Sequence, residues 1–107
     1  MNSKYKLTVS DPWDFEGPSG KNFIVGEIVK ILSSICVIFK SESLLSFDGH
    51  SGKLLILKSR YDDQHLTQEN NYEGTVGGAL LLTEKYKDFD EKELENNSKY
   101  VLIGKLE

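Results

Sequence analysis

The sequence predicts a mainly β domain, a small antiparallel barrel or sandwich of about six or seven short strands with one short helix in the C-terminal half; an α+β arrangement is the alternative. Two observations lead there. Apolar residues gather in short runs, several with period-two alternation, and these runs are separated by clusters of Gly, Pro, Asn, Asp and Ser. Only one stretch carries helix-capping chemistry.

The first strand is Lys4 to Val9, where polar and apolar residues alternate; it stops at Ser10-Asp11-Pro12, because proline lacks the N–H that a ladder needs. Residues 10–22 hold both prolines and two glycines and read as a loop. Phe23 to Ile31 is a second strand, with Phe23, Val25, Glu27, Val29 and Ile31 on one face and Ile24, Gly26, Ile28 and Lys30 on the other. Gly26 in mid-strand marks a bulge or sharp bend of the kind a small curved barrel requires. A short turn at Leu32-Ser33-Ser34 leads into Ile35 to Lys40, and Leu44 to Phe47 is a further short strand. Asp48-Gly49-His50-Ser51-Gly52 is a turn, so Phe47 and Leu54 flank a second hairpin whose return strand is Leu54 to Ser59. Residues 61–74 are polar and read as a long loop, or a loop with one helical turn. Thr75 to Leu82 is a strand weakened or bent by Gly77-Gly78. Asp88 to Asn97 is the helix, capped either by Asp88 with Glu91 or by Asp90 with Glu93; with only Phe89 and Leu94 apolar it is expected to be short and exposed. Tyr100 to Leu106 closes the chain as a strand. No repeat, linker or low-complexity segment divides it, so residues 1–107 read as one domain.

At 107 residues the chain is long enough to bury one core without metal or disulfide. Cys36, the only cysteine, lies inside the apolar run Ile35–Phe39 and reads as a small buried hydrophobe. That run is far too short to span a bilayer, and the first residues lack the apolar stretch of a signal peptide; the expected location is the cytoplasm, with no membrane partner. The net charge of −4 is unevenly spread: residues 11–20 carry −3, residues 21–60 carry +3 and residues 61–99 carry −6. A chain that is acidic overall lacks the basic footprint of a nucleic-acid binder, so direct nucleic-acid contact is not expected, and a basic protein partner suits its acidic parts.

Catalytic and metal chemistry find little support. His50 lies in a glycine turn and His65 in a polar loop, and neither falls in a zinc motif. Asp48, His50 and Ser51 are neighbours in one turn, whereas a catalytic triad needs groups that converge in space. Gly74-Thr75-Val76-Gly77-Gly78 lacks the lysine of a P-loop, and Asp88, Asp90 and Glu91 miss the calcium-loop pattern. The chain is therefore read as a binder and not an enzyme, with no cofactor and no metal.

The distinctive segment is Asp11-Pro12-Trp13-Asp14-Phe15-Glu16-Gly17-Pro18, which places the only tryptophan and a phenylalanine among three acids in a loop stiffened by proline. Aromatic anchors beside charge are common at interfaces, although the two rings also suit a plug over one end of a barrel. Asp11, Trp13, Asp14, Phe15 and Glu16, together with Asp62 and Asp63 of the later acidic loop, are the candidate partner-binding residues.

An acidic chain of this length, with Tyr5-Lys6-Leu7-Thr8-Val9-Ser10-Asp11-Pro12-Trp13-Asp14-Phe15 ahead of a β-rich body, resembles small bacterial immunity proteins of toxin–immunity systems, including those of contact-dependent growth inhibition. The likeness covers general character and that one stretch, and immunity proteins span many unrelated folds, so it assigns no residue a role. It implies a cytoplasmic protein that binds the toxin domain of a cognate effector and blocks its active site or an essential surface. Such toxins include nucleases with basic grooves, which an acidic inhibitor can occupy in place of phosphate. The alternative function is that of an OB-like barrel binding nucleic acid or a small ligand, to which the +3 of residues 21–60 would lend a basic face.

Overall fold

The computed structural model describes residues 4–11, 22–33, 35–47, 49–59 and 74–107. Among the described residues six strands follow one another in the order β1 (Lys4–Asp11), β2 (Phe23–Ser33), β3 (Cys36–Phe47), β4 (His50–Ser59), β5 (Gly74–Leu81) and β6 (Ser98–Leu106), with one helix, α1 (Glu91–Asn96), between β5 and β6. Each strand pairs antiparallel with its neighbour in sequence, and β6 returns to β1, so the sheet closes into a barrel. The seam sets Leu7 opposite Leu106 and Val9 opposite Gly104, and Lys6 and Glu107 exchange two backbone hydrogen bonds of 2.9 Å. Closure pairs both edges of each of these six strands. The mainly β class holds. The connection is a meander throughout, unlike the Greek key of an OB fold.

Alternation decides what enters the barrel. Leu7 and Val9 of β1, Val37 and Phe39 of β3, and Leu55 and Leu57 of β4 point inward and are buried in one cluster. On β2 the interior residues are Ile24, Gly26 and Ile28, one of the two faces that alternation assigns. Six strands enclose a narrow cylinder, which these side chains fill. Gly26 is needed for that fit: a Cβ there would run into the Lys40 carbonyl and come within 2.9 Å of the Phe39 ring, which folds over the bare backbone. The expected bulge does not fall at Gly26, which pairs regularly with Ser41; the β2–β3 register shifts beyond it, between Ile28 and Lys30.

The apolar runs do not follow strict alternation, and the structure shows why. Cys36 and Ile38 of β3, Leu54 and Ile56 of β4, and Ala79 and Leu81 of β5 face outward, yet all are buried. Leu94 of α1 covers them, with Tyr86 and Phe89 of the segment leading into the helix. The β3–β4–β5 wall is thus apolar on both faces, and continuous runs are what such strands require. The helix is short and mostly exposed, as expected, while Leu94 is fully buried and pins it to the barrel. Of the two caps considered, Asp90 is the one used. Its Oδ1 accepts from Glu93 N–H at 2.8 Å, and the Glu93 carboxylate accepts from Asp90 N–H at 3.4 Å. Lys30 of β2 ties down the approach to the helix by donating from Nζ to the carbonyls of Tyr86 at 2.8 Å and Phe89 at 3.3 Å.

Two further boundaries differ from the expected ones. Ile35–Lys40 and Leu44–Phe47 are parts of the single strand β3, interrupted where its pairing to β4 jumps from Lys40–Leu54 to Leu45–Gly52. The glycine turn is tighter than five residues, since His50 already pairs with Phe47 and Gly49 between them has φ +85°. Replacing Gly26 by valine should destabilise the protein by about 1–3 kcal/mol through overpacking. Urea unfolding should show a lower midpoint, and an unchanged midpoint would contradict the close approach of β2, β3 and the Phe39 ring.

Candidate functional site

The barrel interior holds packed side chains, so a binding surface has to lie on the outside. The outer wall of β3–β5 carries the most varied chemistry among the described residues. Residues 84–95 cross it with six acids (Glu84, Asp88, Asp90, Glu91, Glu93 and Glu95) against three lysines, a local charge of −3. Asp90 and Glu93 are engaged in the helix cap. Glu95 Oε1 lies 3.3 Å from Lys58 Nζ of β4, and its hydrogen bond and charge raise the Lys58 ammonium above the usual lysine range. Both partners are about half exposed, so the pair adds little stability and chiefly fixes the helix in register over β4. Glu84 and Asp88 are exposed.

Beneath α1 lies Cys36, free and fully buried. Burial pushes its thiol up from the ordinary 9.0 to about 12, and the Glu91 carboxylate adds to this by accepting a hydrogen bond and by its charge. A thiol held protonated is a poor nucleophile, which agrees with its reading as a core residue.

Beside the helix, the outer wall opens into a groove of about 800 Å³. Leu54 and Leu81 form its floor, Leu44 and Leu82 stand exposed at its sides, and Lys40 and Lys53 line it with Glu84 and Tyr86. Leu44 is 61% exposed because β3 bulges away from β4 between Lys40 and Leu45. The bulge is held in shape rather than slack. Ser41, buried to 2% exposure, accepts from Ser43 N–H at 3.1 Å and donates to the Ser43 carbonyl at 2.7 Å, and Glu42 pairs with Lys4 of β1.

Of the residues expected to meet a partner, Trp13, Asp14, Phe15, Glu16, Asp62 and Asp63 lie outside the described residues, as does His65. Asp11 is placed through its backbone, which ends β1 opposite Ile103. His50 and Ser51 are exposed at the start of β4, and Asp48 lies outside the described residues. No group of three or more His, Cys, Asp or Glu that could hold a metal occurs among the described residues, and none of their helices is long and apolar enough to cross a membrane. Of the basic middle of the chain, Lys30 is tied to two carbonyls and Lys58 to Glu95, while Lys40 and Lys53 line the groove; Lys21 and Arg60 lie outside the described residues. Reading by alternation missed the groove. Its sequence signal is the doublet Leu44-Leu45 and the triplet Leu80-Leu81-Leu82, since adjacent leucines on a strand cannot all face one core. No family model, curated protein or solved structure matches the chain.

Two measurements probe this wall. Replacing Leu94 by alanine should cost about 2–5 kcal/mol by opening a cavity under α1. Because the folded-state pKa of Cys36 exceeds its unfolded value, the neutral thiol's contribution to stability is complete below about pH 9 and is lost as pH rises towards 12. The stability difference between wild type and Cys36→Ala, measured by urea unfolding, should therefore shrink across that window; a difference independent of pH would contradict the buried, protonated thiol.

Proposed function

We propose that this protein is an inhibitor of the immunity type, which binds a cognate bacterial toxin domain through its acidic surface and leaves that domain unable to act. The observation that carries this reading is the acidic crossing of residues 84–95, held on a closed barrel by Leu94, the Asp90–Glu93 cap and the Lys58–Glu95 pair. Carboxylates fixed on a rigid body meet a partner with little ordering cost. Against a nuclease with a basic groove they take the place of substrate phosphates, and their field speeds encounter. The filled barrel supports the same reading by leaving the outer surface to do the binding. The acidic aromatic stretch Asp11, Trp13, Asp14, Phe15 and Glu16, with Asp62 and Asp63, supplies further contacts in this proposal, the rings as anchors and the acids as steering charge.

The test is protection of cells that express the toxin domain encoded beside this gene. Neutralising Asp11, Asp14, Glu16, Asp62 and Asp63 to their amides should slow association by about tenfold or more at low salt and weaken protection. Arg→Glu changes in the toxin groove should do the same from the other side. Full protection and unchanged affinity with these five acids and Asp88, Glu91 and Glu95 of the crossing all neutralised would sink the acidic-interface reading.

A further inference from the structure

The groove beside α1 differs in chemistry from the acidic crossing next to it. We propose that it is a docking site for a short acidic, leucine-bearing segment of a partner protein. An aliphatic side chain would seat between Leu44 and Leu82 over the floor of Leu54 and Leu81, and flanking carboxylates would meet Lys40 and Lys53.

Three observations point to this occupant. The first is charge. Lys40 and Lys53 line the groove and, like most lysines of the described residues, have no carboxylate partner among them, so both charges are open to one. Lys40 stands opposite Leu54, the residue next to Lys53, so the two lysines leave neighbouring stretches of backbone, and both line the groove. Glu84 is the only acid among the groove's lining residues and orients the segment, whose acids belong at the lysines and not beside Glu84. The second is the bulge. Ser41 and the Glu42–Lys4 pair hold a local break in the ladder that turns Leu44 into solvent, and bulges of this kind re-aim side chains beside functional sites. The third is shape. The groove is partly open to solvent and mixes four leucines with lysine, serine, threonine and glutamate, whereas small-ligand sites are lined mainly by apolar and aromatic side chains. A segment carrying both leucines and acids matches such a mixed lining.

The probes are the capped hexapeptide DELLDE and its basic counterpart KKLLKK, titrated into the full chain and followed by amide and methyl NMR. The acidic peptide should shift Leu44, Leu82 and their neighbours, with a Kd below about 1 mM. The double variant Lys40→Glu/Lys53→Glu should bind it at least about fivefold more weakly. Leu44→Ser, a change at an exposed position, should weaken binding while leaving the unfolding midpoint unchanged, which separates docking from folding. Equal binding of the basic peptide, no shift at ~1 mM acidic peptide, or displacement of the peptide by tighter-binding decanoate would each overturn the proposal. Neutralising the five acids of residues 11–63 leaves this groove intact, so failure of the inhibitor reading and failure of peptide docking are separately visible.

Discussion

The structure depends on a wall of three strands that is apolar on both faces. Val37, Phe39, Leu55, Leu57 and Leu80 fill the barrel, and from the same strands Cys36, Ile38, Leu54, Ile56 and Leu81 point the other way. Left bare, that outer face would be a large apolar patch on a closed barrel. The link between β5 and β6 solves this by crossing back over the wall, laying down Tyr86, Phe89 and Leu94 before β6 completes the cylinder. The helix is therefore a cover first, and its short length matches that task.

The cover brings its charge with it. A six-residue helix with one buried leucine exposes nearly everything else, and here everything else is mostly acid. The capping box, the Lys58–Glu95 pair and the two carbonyl contacts of Lys30 hold this short segment where propensity alone would not. Because the cover spans only part of the wall, its border with the β3 bulge is left as the groove lined by Lys40, Leu44, Lys53 and Leu82. An acidic crossing and a lysine–leucine groove thus lie side by side as consequences of one packing requirement.

Much of this was legible in the chain. Short apolar runs, some of them alternating, located the strands of the barrel, and Asp90 with Glu93 carried one of two readable caps. Two things were not legible. Ile35–Lys40 and Leu44–Phe47 read as separate strands because Ser41, Glu42 and Ser43 look like a turn; only their pairing partners show a bulge within one strand. The docking of Leu94 on the β3–β5 wall was not readable, because two apolar residues make a weak stripe, and a stripe does not say how much apolar surface awaits it elsewhere.

The sequence by itself determined the β class, the strand positions, the separation of acidic from basic stretches and the burial of Cys36, since each follows from local patterning or composition. Tertiary structure alone decided the closure of β6 on β1, the placement of α1 over the β3–β5 wall, and the exposure of Leu44 and Leu82 beside two lysines. Those features depend on which strands become neighbours, and contacts between residues far apart in the chain leave no periodic trace in the order of the residues.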